Sequence, residues 1–190
     1  ASTALLQYEI DTEMQELQER YGEADAVLAY RACAAAIGKL QRLAKSLGGI
    51  DFQPMKRLYF ASHWYHRQQL LDEGALRRAQ GFKVSTLTRA EVKARYGFSA
   101  ATALLSELGA EMDPYQMVHQ LLRKLRAAGG QVHDHTRIES FKTRRGGVVA
   151  TTDHGCRIDA KYLVMAAGYE NERHLDLKVA KNRSSYAYVT

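Results

Sequence analysis

Apolar positions repeat with a helical period over the first part of the chain. Ile10, Met14, Leu17 and Tyr21 fall at helical spacing, and Leu28, Ile37, Leu40, Leu43 and Leu47 mark a longer helix from about Asp25 to Leu47. Gly48-Gly49 closes it, as glycine does at helix C-termini. Met55 to Phe60 reads as a strand, and Ser62 as the N-cap of a helix that runs to about Gln80 before Gly81. Thr88-Arg89-Ala90-Glu91 has capping-box form, with Gly97 beyond the far end of a short helix. Asp113-Pro114 offers an N-cap followed by proline at the first helical position, and Val118, Leu121, Leu122 and Leu125 form one apolar stripe before Gly129-Gly130.

After that helix the period changes from 3.6 to 2. Gln131 to His135 reads as one strand, and Ile138 to Thr143 and Val148 to Thr152 as two more around Arg144-Arg145-Gly146-Gly147. Asp153-His154-Gly155 turns the chain into Arg157-Ile158. Tyr162 to Gly168 is nearly all apolar and ends in glycine, the pattern of a strand buried on both faces of a parallel sheet. The order predicts the second half of a nucleotide-binding α/β domain whose crossover is interrupted by an antiparallel meander, with the first β-α-β unit not in this sequence.

Composition narrows this picture. The 190 residues are 46% hydrophobic and 25% charged, with two prolines and no low-complexity tract, which fits one compact domain or two small ones. No apolar run approaches the roughly 20 residues of a membrane span. The net charge of +6 raises the question of nucleic acid. Arg77-Arg78, Arg123-Lys124 and Arg144-Arg145 lie far apart among acidic residues, however, so solvated faces explain them and no nucleic-acid partner is expected. Cys33 and Cys156 lack CxxC spacing and nothing resembling a secretory leader precedes them, so a reduced, cytoplasmic setting is expected. The chain opens on Ala1 and stops inside the strand-like Ser185 to Thr190, which suggests an excised fragment.

Four stretches, Ala1 to Leu6, Met112-Asp113-Pro114-Tyr115, His135 to Ile138 and Leu163-Val164-Met165-Ala166-Ala167-Gly168, together resemble the D-amino-acid oxidase and glycine oxidase family of flavoproteins, the DAO superfamily. The resemblance implies FAD as cofactor. It implies that the opening segment, with Ser2, Thr3, Ala4 and Leu5, passes beside the flavin ring. The stretch around Ile138 would meet the adenine edge through its main chain. Ala166, Ala167 and Gly168 would let backbone approach the dinucleotide, as small residues do at phosphate turns. The family's G-x-G-x-x-G loop and the glutamate after it, which seat pyrophosphate and grip ribose, are not in this sequence. The family's carboxylate-binding arginine and substrate tyrosines lie in C-terminal parts, so no catalytic residue is carried over.

The fold class so implied is mixed α/β (α+β): a partial Rossmann-like FAD-binding half-domain with an antiparallel meander, joined to part of a helix-containing substrate domain. Residues 1–50 would hold the flavin-proximal segment and helices of the FAD-binding region, 51–110 part of the substrate domain, 111–177 the Rossmann-like part with its meander, and 178–190 the start of the return. The parent would move hydride from the carbon of an amine or amino acid to FAD, and the isolated chain would be inactive, with oligomers possible through surfaces exposed by truncation. The alternative is a non-catalytic binding module with a basic partner or nucleic-acid surface, supported only by the charge balance.

Other features have simpler explanations. His133 and His135 could share a strand face, but no further ligands stand at metal spacing, and no metal is expected. Tyr59, His63, Trp64, Tyr65 and His66 could line an amine pocket or pack in a core or interface. Asp113 is read as a cap rather than a catalytic carboxylate.

Overall fold

Strands Thr102–Met112 and Phe52–Phe60 pair antiparallel along most of their lengths, from Phe52 opposite Met112 to Phe60 opposite Ala103. The chain is seen here in a computed structural model, which describes residues 4–168, 171 and 172. These residues divide between Val132 and His133 into two compact units. Ser2, Thr3 and the strand expected over 185–190 lie outside the described residues.

The elements of the first unit are β1 (Leu5–Gln7), α1 (Met14–Tyr21), α2 (Glu23–Leu47), β2 (Phe52–Phe60), a 3-10 turn at Trp64–His66, α3 (Arg67–Ala79), β3 (Val84–Thr88), α4 (Arg89–Tyr96), β4 (Thr102–Met112) and α5 (Pro114–Ala127). β4 is central. β2 lines one edge of it, while β3 and β1 share the other, β3 against Thr102 to Ser106 and β1 against Gly109 to Glu111. All pairings are antiparallel, and the register shifts between Met55 and Arg57, where Glu107 and Leu108 face only Lys56. Pro54 sits in β2, which among the described residues pairs with β4 alone, and proline in a sheet is found on such edge strands.

Both faces of β4 are covered near its start. Leu104 packs with Ala61, Leu70 and Val84 under α3. Ala103 and Leu105 point the other way, into a cluster with Leu87, Val92 and Ala100 beside α4. A strand buried on two faces loses the polar alternation that marks a half-exposed one, and this stretch is built from Ala, Leu and Glu, which favour helix. That is why the sequence pattern does not show β4. β3 is hidden for a related reason, as its five residues abut the capping box of α4. A third cluster, with Tyr8, Met14, Leu17, Val27, Tyr30 and Ala110 at its centre, joins α1 and α2 to the sheet. Gly74, inside α3, permits the close approach of helix and sheet: a Cβ there would stand 2.5 Å from Leu104 Cδ2.

Two of the expected local signals hold at α4 and α5. Thr88 and Glu91 form both bonds of a capping box, and Gly97 ends α4 in the left-handed region. Asp113 accepts from Tyr115 N and Gln116 N at 2.8 and 3.1 Å, with Pro114 at the first helical position of α5. The helix expected from Ser62 begins instead with the Trp64–His66 turn and has no side-chain cap. Ile10 lies before α1, not in it.

The second unit is a meander of β5 (Ile138–Arg144), β6 (Gly147–Thr152) and β7 (Arg157–Ala160). Val148, Ala150 and Thr152 point to its buried side, and Gly146 takes φ 85° in the turn between β5 and β6. Two expectations fail here. Gln131 to His135 is not a strand, and His135 takes φ 47°. Tyr162 to Gly168 is not a buried strand, since Tyr162 is 86% exposed and no strand pairs with this segment among the described residues. An apolar run becomes a central strand only when neighbours complete its hydrogen-bond ladder on both sides. The mixed α/β class therefore stands, with its two sheets antiparallel.

Candidate functional site

The residues expected beside a flavin nucleotide fall in both units. In the first, Ala4 takes φ 64°, a left-handed conformation costly for a residue with a Cβ, and its carbonyl accepts from Met112 N at 2.9 Å. Leu5 opens β1 on the edge of β4 and is exposed. In the second, Ile138 begins β5 opposite Thr152. Ala166, Ala167 and Gly168 form an exposed bend; Gly168 takes φ 59°, and among the described residues no atom beyond its chain neighbours lies within 4 Å of the place its Cβ would occupy. Asn171 clasps that bend, its Oδ1 accepting from Ala167 N at 3.3 Å and its Nδ2 donating to Met165 O at 3.1 Å. Small side chains and open backbone fit the close approach of a dinucleotide. No two of the fourteen glycines stand two apart, so the pyrophosphate loop has no counterpart in this sequence.

A buried set of charged and hydroxyl side chains, not anticipated from the sequence, lies inside the first unit. Arg77, 1% exposed, donates from Nε to Glu73 at 2.6 Å and from Nη1 to Glu9 at 3.0 Å. Glu9 also accepts from Ser106 Oγ at 2.8 Å, and Ser106 shares a hydrogen bond of 3.2 Å with the Tyr8 hydroxyl. The other Glu9 oxygen lies 2.8 Å from Arg57 Nη1, an ion pair whose angles fall outside those of a hydrogen bond. Burial of charges is tolerated here because each carboxylate meets a guanidinium. Burial pushes the hydroxyls of Tyr8 and Tyr30 above their ordinary value, so both stay protonated donors.

Glu73 has a further task. Its two oxygens accept from Met14 N at 2.9 Å and Gln15 N at 3.1 Å, so a residue of α3 caps the N-terminus of α1. Glu13, at the N-cap position, makes no capping bond. Its carboxylate accepts from the Tyr59 hydroxyl at 3.1 Å and from Gln69 Nε2 at 2.7 Å. Burial first, and the Glu13 carboxylate second, push the Tyr59 hydroxyl above its ordinary value.

Glu13, Tyr59 and Gln69 stand between two open hollows. One, of about 410 Å³, is floored by Glu9, Arg57 and Arg77. The other, of about 430 Å³, adds Ser62, His63 and His66. The aromatic segment is thus not core: Trp64 is 77% exposed, and Tyr59, His63 and His66 line the second hollow. Arg77 is likewise no part of a solvated face, although Arg78, Arg123, Lys124, Arg144 and Arg145 are exposed. One signal was available in the sequence. Leu70, Glu73, Gly74 and Arg77 fall at i, i+3, i+4 and i+7 of one helix, which puts a charged pair on the apolar stripe. No such signal marks Glu9 or Arg57, because the segments they meet are distant in sequence. Among the described residues no helix is long and apolar enough to cross a membrane, and no cluster of three His, Cys, Asp or Glu side chains is placed to hold a metal ion.

The family model described as DAO, FAD dependent oxidoreductase, matches residues 1–190. The curated proteins contain no match. Among solved structures, glycine oxidase from Geobacillus kaustophilus is similar over 90% of this chain, with 17% identity and a TM-score of 0.75. L-proline dehydrogenase from P.horikoshii is similar over 69% of this chain, with 13% identity and a TM-score of 0.58. The dithionite-reduced L-alpha-glycerophosphate oxidase from Mycoplasma pneumoniae, with FAD bound, is similar over 80%, with 18% identity and a TM-score of 0.58. The chain spans 45%, 36% and 39% of those three structures.

Proposed function

Since the chain belongs to the DAO family of FAD dependent oxidoreductases, we propose that it works within a longer flavoenzyme that oxidises an amine or amino acid. The observation that carries this reading is the family match over the whole chain, supported by the likeness in fold to amino-acid oxidases. When bound, FAD would supply two-electron oxidation, accepting hydride from the carbon beside the amine to leave an imine for water to hydrolyse.

This chain's own part is placement. Ser2, Thr3, Ala4 and Leu5 line the flavin ring, where short side chains permit contact and Leu5 excludes water. Main chain near Ile138 meets the adenine edge. Ala166, Ala167 and Gly168 present backbone to the dinucleotide, in a bend that Asn171 holds in shape. Residues 51–110 contribute to the wall that orients the substrate. The domain assignment of residues 1–50, 51–110, 111–177 and 178–190 is part of the same proposal.

Anaerobic mixing of the FAD-loaded full-length protein with glycine, L-proline or other amino acids tests it. The expected result is loss of the oxidised flavin's visible absorbance with at least one of them, and release of ammonia or a cyclic imine. Failure of the full-length protein to retain FAD would overturn the reading. Flavin retained but reduced only by substrates without nitrogen would overturn its amine chemistry.

A further inference from the structure

Another hollow of the first unit, of about 410 Å³, opens where β4 begins. Thr102, the first residue of that strand, pairs with Thr88 at the end of β3, and its carbonyl accepts from Ala61 N, just beyond β2, at 3.0 Å. The chains that flank Thr102 stand two strand spacings apart, about 10 Å. One leads through the Trp64–His66 turn into α3 and the other into α4. The first residues of those helices, Arg67 and Arg89, therefore border the same space.

The walls of this hollow divide by chemistry. Trp64, Leu71, Leu87 and Ala101 give it an apolar lining. Its threonines are turned to internal work: Thr86 accepts from Arg78 Nη1 at 2.9 Å, Thr88 donates to the Glu91 carboxylate at 2.8 Å, and Thr102 donates to Leu87 O at 2.9 Å. No carboxylate lines it, unlike the two hollows beside Glu13. Arg67 and Arg89 are exposed, and among the described residues neither guanidinium has an ion-pair or hydrogen-bond partner. Glu91 already serves the start of α4 through the capping box, so the guanidiniums are what an incoming anion meets.

We propose that this hollow binds an aryl carboxylate, with its ring against Trp64 and the apolar wall and its carboxylate at Arg67 and Arg89. The apolar wall alone would accept any hydrophobic body; the unpaired guanidiniums select for an anion, and the indole face for an aromatic ring. None of the lining residues borders the hollow over Arg57 or belongs to the flavin-proximal stretches, so the proposal stands whether or not the flavin reading holds.

Isothermal titration of the full-length protein with 2-naphthoate tests this, beside 2-naphthamide, which keeps the ring without the charge, and acetate, which keeps the charge without the ring. 2-Naphthoate is expected to bind at least about tenfold more tightly than either, the worth of one charge-assisted hydrogen bond or of the buried ring. Arg67→Gln and Arg89→Gln remove exposed, unpaired charges and leave the fold intact. Each is expected to weaken 2-naphthoate about tenfold and leave 2-naphthamide unchanged. Trp64→Leu keeps the wall apolar without the indole face, and should weaken both aryl probes alike by about fivefold. 2-Naphthamide binding as tightly as 2-naphthoate would overturn the proposal, as would no binding of 2-naphthoate. A 2-naphthoate affinity unaltered by the three substitutions would show that it binds elsewhere and would overturn it equally.

Discussion

Arg77, 1% exposed, is held between Glu9 and Glu73, and its loss would leave Glu73 buried without its cation and Glu9 with Arg57 alone. Arg77→Met is therefore expected to destabilise the protein by about 3–5 kcal/mol, read from the midpoint of urea unfolding. Replacement of an exposed arginine such as Arg123 should change the midpoint little. The tyrosines around this network set its response to alkali. Burial raises the ionisation of Tyr8, Tyr30 and Tyr59 above 10.0 in the folded protein, whereas the unfolded chain ionises at the ordinary value. The folded state then holds these protons more tightly, so their stabilisation is complete below pH 10 and is lost as pH rises beyond it. Tm should fall above that pH. In Tyr30→Phe the fall should be shallower, while stability at neutral pH drops by about 1 kcal/mol through loss of the 2.9 Å bond to Thr12 O.

Helices of this protein begin in two different ways. α4 and α5 carry their own caps within three residues, and both were legible in the sequence for that reason. Asp113→Ala is expected to cost about 1 kcal/mol in thermal unfolding, with Asp113→Asn close to neutral. α1 is capped from α3 by a side chain 59 positions away, a relation no local pattern reveals. Strands divide similarly. β5 and β6 are rich in β-branched and aromatic residues about a glycine turn, so the hairpin could be read directly. β4, with three strands paired to it and both faces covered at its start, has neither alternation nor β-branched composition and was missed.

For the whole molecule, the chain spans less than half of each of the three solved structures described above, and no pair of its glycines has the spacing of a pyrophosphate loop. We expect residues 1–190 alone to bind FAD more than about a hundredfold more weakly than a longer protein that includes such a loop, since at least two charge-assisted bonds to phosphate are missing. Fluorescence titration of both with FAD checks this, and equal affinity would show that the loop is dispensable. By itself the sequence determined the family resemblance, the mixed α/β class, the capped helices and the meander hairpin, because these depend on residue types within a few positions of one another. Only the tertiary structure decided that Arg77 and Glu73 lie inside, that β4 is a central strand, that Tyr162 to Gly168 is exposed, and that Glu13 and Arg57 share a cleft. Each of these depends on which distant segments meet, and burial, pairing and charge compensation are properties of that meeting.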